Sequence, residues 1–332
     1  LRVSDNVIEG VRIEARVVPF PKSISNEARA FLASLVGPDG VPLTLMSQDP
    51  AAGDVEGWAV AKEMAGAALA RMIAPSAAAS KLAIETIELG GAVVHRVTPP
   101  DVGAQDRVYL DIHGGGLVYG AGEFCRGGAR IQADRHGVRC YAVDYRMPPE
   151  HPYPAALDDC VAVYRALVER YGAGNIIVGG LSAGGNLAAA LVLRARDEGL
   201  PVPAALVLLT PELDLTESGD TFETNRVIDV MLGKPLMNKN LLYAAGHDLA
   251  HPYLSPLFGD FAKGFPPTFL QTGTRDLFLS NTVRMHRALR RAGVPVELHV
   301  FEGMPHGGFM GAPEDLDLEA EVRRFVAEWW GR

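Results

Sequence analysis

Cysteine is scarce: the three present, Cys125, Cys140 and Cys160, fall in no C-x-x-C or zinc-ligand spacing. So odd and scattered a set argues against a disulfide framework and against a structural zinc site, and leaves each thiol as a small core filler. Long apolar runs are missing too, since none approaches the roughly 18 residues of a membrane-spanning helix. Lysine and arginine number 31 against 40 aspartates and glutamates, a net charge of −9, and neither sign forms a block. That balance argues against a nucleic-acid partner. Around Ser182 the glycines do not fall as G-x-G-x-x-G, and no lysine follows Gly185, so a phosphate-binding loop is set aside. There is no internal repeat and no low-complexity segment. The chain begins at Leu1 rather than Met. A removed leader therefore stays open, but the first residues carry no apolar signal region, and a cytoplasmic location is the expectation. Monomer and homodimer are both left open.

The chain is long enough for one large α/β domain with an appended cap. Residues 1–80 read as N-terminal cap helices, over about Ser25–Val36 and Asp54–Ile73, the second striped with Trp58, Ala61, Ala65, Ala68, Leu69 and Met72. Residues 81–332 read as the catalytic domain. It opens on a hairpin, Ile84–Leu89 and Ala92–Val97 around Gly90-Gly91. Short apolar strands then follow at Val108–Ile112, Cys140–Val143, Ile176 onward, Ala205–Leu209, Thr268–Gln271 and Val296–Phe301. Helices are expected near Ala155–Tyr171, Leu187–Leu193, Ser280–Ala292 and Leu316–Trp330. Such alternation predicts a mostly parallel sheet covered on both faces, antiparallel at its start, with function at the strands' carboxyl ends. Between Leu209 and Thr268 lies far more chain than a crossover needs. A cap insertion at about 212–250, with a helix over Leu236–Gly246, accounts for it.

Gly180-Leu181-Ser182-Ala183-Gly184 sits where a strand meets a helix. It fits the G-x-S-x-G elbow, in which small neighbours allow a strained turn that thrusts the serine hydroxyl outward. The following helix aims its N-terminal amides at an oxyanion formed beside Ser182. His113-Gly114-Gly115-Gly116 ends the strand Val108–Ile112 and bares backbone N–H groups, so Gly115, Gly116 and Ala183 are the expected oxyanion hole. His113 and Gly114 are read as the anchor of that loop rather than as proton carriers.

A serine needs a neutral imidazole as base, and the imidazole needs a carboxylate to fix its tautomer. With the order serine, acid, histidine, the candidates downstream are His247, His251, His286, His299 and His306. His306 alone lies in a loop directly after the last strand. Asp276 follows the strand Thr268–Gln271 and is preferred as the acid over Asp214, Asp248 and Glu302. An unperturbed imidazole, with a pKa of about 6.5, would make activity rise through about pH 6 to 7.

These motifs, together with Val143-Asp144-Tyr145-Arg146 running into Pro149-Glu150-His151-Pro152-Tyr153-Pro154-Ala155-Ala156, resemble the hormone-sensitive-lipase-like family of α/β-hydrolases over about residues 80–332. The resemblance implies an α/β-hydrolase fold and a serine carboxylic-ester hydrolase with Ser182, Asp276 and His306 as triad. It implies neither cofactor nor metal, and Asp144, Tyr145 and Arg146 as scaffold behind the site. The sequence departs from the family at Leu181, usually polar there, and at Glu212, often aromatic there. Small esters or compact lactones are the expected substrates, held in a pocket walled by Met64, Met72, Leu232, Met237 and Leu241. The rival readings are an amidase on the same triad and a non-catalytic ligand-binding module like the plant gibberellin receptors. The filled triad positions argue against the second.

Overall fold

The computed structural model describes residues 10–11, 14–46, 48–102 and 106–330. Its spine is a single sheet of β1 (Ile84–Leu89), β2 (Ala92–Val97), β3 (Val108–Ile112), β4 (Arg139–Val143), β5 (Ile176–Leu181), β6 (Ala205–Leu209), β7 (Thr268–Gly273) and β8 (Val296–Phe301). The spatial order is β1-β2-β4-β3-β5-β6-β7-β8. β2 pairs antiparallel with both β1 and β4, and every other pairing is parallel. This is the expected architecture, and β3 shows why it was legible. Its Val-Tyr-Leu-Asp-Ile is buried at every position, as a strand covered on both faces must be.

The helices are α1 (Asn26–Ser34), α2 (Val55–Ala79), α3 (Glu123–His136), α4 (Ala155–Tyr171), α5 (Ala183–Asp197), α6 (Thr221–Thr224), α7 (Met237–Ala244), α8 (Leu279–Arg291) and α9 (Pro313–Trp329). Alternate strand residues serve opposite cores. Val108, Leu110, Ile112 and Val178 pack with Leu167 of α4, Leu187 and Leu191 of α5 and Met285 of α8. Tyr109, Ile177, Val207 and Phe269 pack with Ala129 of α3 and Val322 and Phe325 of α9. β5 is thus central, with α5 leaving its carboxyl end. No helix among the described residues is long and apolar enough to cross a membrane, and Cys125, Cys140 and Cys160 are buried and unpaired.

The sequence reading needs correcting in three places. It had no helix at α3, because Gly127 and Gly128 lie mid-helix, where glycine is unfavourable. Both glycines are there for close approach. A Cβ on Gly127 would stand 3.0 Å from the Ile73 Cγ2 of α2, and one on Gly128 3.2 Å from the Asp111 carboxylate. The second correction is the end of α2, which continues through Pro75 to Ala79. Packing of Ile73 and Ala77 on Gly127, with alanines beyond the proline, outweighs the one amide that proline lacks. Third, Met64 and Met72 do not wall a pocket. They are 68% and 41% exposed, because α2 buries only Trp58 and Ala77 of its length, and Leu241 of α7 is 46% exposed.

The N-terminal segment nevertheless grips the insertion between β6 and β7. Trp58 packs with Val118 and Leu242, the Thr44 hydroxyl donates to the Val230 carbonyl at 3.1 Å, and Asp49 pairs with Lys239 and with Lys234 at 3.6 Å. α1 sits elsewhere, its Ala28 and Leu32 packed on Met304 and Phe309 in the loop after β8.

Gly127→Leu should prise α2 from α3 without touching the sheet. Limited proteolysis should then cut within residues 55–79 faster than in the wild type. The main unfolding midpoint should move by no more than about 4 °C, the shift expected for about 1 kcal/mol in a domain of this size.

Candidate active site

Ser182 occupies the turn between β5 and α5 with φ 58° and ψ −123°. A non-glycine residue held in this region costs on the order of 1–3 kcal/mol and persists only where its surroundings dictate it. Here they do. The Ser182 N–H donates to the Leu209 carbonyl at 2.9 Å, tying the turn to β6. A Cβ on Gly184 would lie 1.9 Å from the Ile112 carbonyl oxygen, and one on Gly180 would lie 2.2 Å from that of Gly184. Only glycine lets α5 start so close to β3 and β5.

The loop after β3 is held as closely. The His113 Nδ1 donates to the Gly114 carbonyl at 2.8 Å, the ring stacks on Tyr145 at 4.1 Å, and the Tyr145 hydroxyl donates to the His113 carbonyl at 2.9 Å. Burial lowers the His113 pKa, more than its backbone contact and nearby Asp144 raise it, so the ring is neutral and suited to anchoring. A Cβ on Gly114 would be 3.3 Å from Ser182 Cβ, which sets the loop against the elbow. Gly115 and Gly116 both have positive φ, 122° and 60°. Their amides donate to no acceptor among the described residues, and Ala183 opens α5, so its N–H has no intrahelical partner. Ala183 follows Ser182 directly, and Gly115 and Gly116 continue the loop that Gly114 sets against Ser182.

His306, in the loop after β8, brings Nε2 to 2.9 Å from Ser182 Oγ and Nδ1 to 3.1 Å from Asp276 Oδ1. Asp276 is fully buried and held by the Thr272 hydroxyl at 2.7 Å and the Phe278 N–H at 3.0 Å. Phe278 stands edge-on to the imidazole at 4.9 Å. Burial alone would lower the His306 pKa. The Asp276 hydrogen bond and the charges of Asp276, Asp229 and Glu212 outweigh it, and the net shift is upward. The structure thus brings together every residue named from the sequence: Ser182, His306 and Asp276, with Gly115, Gly116 and Ala183 beside them and His113 and Gly114 behind. The rejected acid Asp214 is occupied elsewhere, accepting from Thr216, Ser218 and Arg284.

Sequence reasoning passed over Asp229. Fully buried, it accepts the His306 N–H at 3.2 Å and the Leu277 N–H at 2.8 Å, so one carboxyl holds both the histidine loop and the aspartate loop. Burial and the Asp276 charge push its pKa up to about 6. No motif in Asn225-Arg226-Val227-Ile228-Asp229 announces this. Glu212, noted in the sequence only as a departure, proves fully buried beside Ser182, its N–H on the Ser182 carbonyl at 3.2 Å. Apart from this site, His95, Cys125 and Asp144 offer ligand atoms within 4.8 Å of one another. His95 and Asp144 are already engaged with each other at 3.1 Å, and also with Thr86 and the Gly122 N–H. They brace the loop after β3 from behind, as expected of Asp144 and Tyr145.

Residues 109–310 match the family described as alpha/beta hydrolase fold. An acetyl-hydrolase of Streptomyces hygroscopicus is 35% identical over 202 residues, 60% of this chain and 67% of that protein. An esterase of Acinetobacter venetianus is 34% identical over 60% of this chain, which spans 66% of that relative's length. The crystal structure of an esterase superposes with a TM-score of 0.88 at 36% identity, covering 96% of this chain and 98% of the other. A homologue of hormone-sensitive lipase from a metagenome library gives 0.78 at 28% identity, over 93% of this chain and all of the other. The chain belongs to the α/β-hydrolase fold family, among its hormone-sensitive-lipase-like esterases.

Proposed function

We propose that this protein is a serine esterase that cleaves esters of short acyl chains, and compact lactones, through an acyl-enzyme on Ser182. Its kinship makes it a hydrolase acting on esters. The residues that act, the intermediate and the substrate size are our reading. The observation that carries it is the unbroken chain from Ser182 Oγ to His306 Nε2, at 2.9 Å, and from His306 Nδ1 to Asp276, at 3.1 Å.

In this reading His306 takes the Ser182 proton as Oγ attacks the ester carbonyl. The oxyanion settles among the N–H groups of Gly115, Gly116 and Ala183, each worth about 2.7–4 kcal/mol at the transition state. The imidazolium returns its proton to the departing alcohol. A water, deprotonated by the same nitrogen, then releases the acid. Asp276 fixes the tautomer, and Asp229 fixes the loop that carries the ring. Residues 1–80 and the insertion at about 212–250 act as a two-part cap, a reading supported by the Asp49, Thr44 and Trp58 contacts between them. Lys239, rather than the methionines of α2, walls the loop after β3, since a Cβ on Gly116 would lie 2.8 Å from the Lys239 Cδ. Ser182 itself is only 9% exposed, which suits a small substrate under a cover rather than a lipid surface.

Three outcomes test this. Ser182→Ala and His306→Ala should each cost about 10⁶-fold in kcat and the double variant little more, because the groups act as a unit; Asp276→Ala should cost about 10⁴-fold. A double variant far worse than either single change would contradict the shared mechanism. Second, His306 must be neutral to act, and its pKa is raised, so activity is lost as pH falls through a midpoint above 6.5. The pH profile of kcat/KM reads it, and a midpoint at or below 6.5 would show that the carboxylates do not outweigh burial at His306. Third, kcat/KM over acyl esters of two to sixteen carbons should rise by about fourfold per methylene while room remains, then fall. Six- and seven-membered lactones should also be turned over. A steady rise to the longest chain would overturn the small-substrate reading.

A further inference from the structure

Glu212 has no part in that mechanism, yet it sits at its centre. Its carboxyl is fully buried, and among the described residues neither oxygen has a hydrogen-bond partner. Asn240 of α7, whose amide also donates to the Leu215 carbonyl at 3.2 Å, draws near enough to favour the ionised form. Burial, and then the charge of Glu217, push the Glu212 pKa up to about 7 against the pull of His306 and Lys239. Taking a carboxyl from water without a good hydrogen bond is a cost, and these neighbours offset it only in part. Lys239, whose stem crosses Gly116, is also one of the charges acting on Glu212. Glu212 therefore lies between Ser182, whose carbonyl accepts the Glu212 N–H at 3.2 Å, and the charge of Lys239, next to where the proposed mechanism puts the ester.

The surroundings select what could satisfy it. A substrate ammonium would meet Lys239 and the imidazolium of His306. A substrate carboxylate would meet Glu212 itself, Glu217 and Asp229. A plain alkyl group would leave both oxygens bare. A neutral hydroxyl suffers none of these, and since it both donates and accepts it can pair with the carboxylate or with the acid on either side of that pKa. We infer that Glu212 is a specificity-determining residue that hydrogen-bonds a hydroxyl of the substrate, making hydroxyl-bearing esters the preferred class. The inference rests on the serine-esterase reading of the same site.

The test compares kcat/KM by pH-stat within two pairs: ethyl butyrate with each enantiomer of ethyl 3-hydroxybutyrate, and propyl butyrate with 3-hydroxypropyl butyrate. The first pair puts the hydroxyl in the acyl part and the second in the alcohol. The wild type should favour the hydroxyl ester by tenfold or more in one pair, and that pair shows which side Glu212 reads. Glu212→Leu should lower this ratio at least tenfold, and Glu212→Gln, which can still donate and accept, should keep most of it. No preference in either pair of the wild type overturns the inference, whether or not the variants fold. So does a Glu212→Leu enzyme slowed equally on both members of the favoured pair, since a residue acting only through His306 would do that. If the wild type hydrolyses none of the esters, the serine-esterase reading fails, and the inference with it.

Discussion

The site depends on one steric constraint, the room that Gly180 and Gly184 leave between β5, α5 and the end of β3. A methyl group at Gly184 would overlap the Ile112 carbonyl, and one at Gly180 the backbone of Gly184. Without that room α5 could not start at Ala183, and Ser182 would have no reason to stay at φ 58°. The same contact sets the oxyanion loop against the nucleophile, because the loop is the continuation of the strand on which α5 leans. Ser182 and the loop we propose as its oxyanion hole are therefore placed by one packing event, and the strain at Ser182 is held by the sheet.

Around that rigid point the electrostatics lean one way. Asp276, Asp229 and Glu212, all fully buried, each favour the protonated form of His306. In the proposed mechanism the charge that appears on the imidazole during attack is met by groups already in position, the condition under which a dry site stabilises a transition state most. The three differ in bonding. Asp276 is bonded to the ring, Asp229 to the backbone that carries it, and among the described residues the Glu212 carboxyl has no hydrogen-bond partner. The first two hold His306 and its loop, and the third is the group we infer to meet the substrate.

Much of this could be read in the sequence, and the reasons are specific. Parallel strands buried on both faces stand out as short apolar runs, so β3, β5 and β6 were found where they lie, whereas β8, the half-buried edge strand, shows as the alternating Val-Glu-Leu-His-Val-Phe. Ser182, Asp276 and His306 could be chosen because each follows a strand and the chain order is fixed. Helix α3 was missed because its glycines serve α2 and Asp111, contacts that no local pattern contains. The pocket wall was misjudged for a related reason. The stripe on α2 looked like a packing face, but only Trp58 and Ala77 are buried, and Lys239, a residue that reads as surface, lies against the oxyanion loop instead. Asp229 joins two loops far apart in sequence, and its role exists only once both are folded.

The most direct test of the account is covalent capture of the nucleophile. A serine-directed phosphonate ester, followed by peptide mass spectrometry, should modify the wild type once per chain, at Ser182. His306→Ala, lacking the base, should label at least a hundredfold more slowly while keeping its fold. Modification of another serine with Ser182 untouched, or equal rates with and without His306, would contradict the claim that this elbow holds an activated nucleophile.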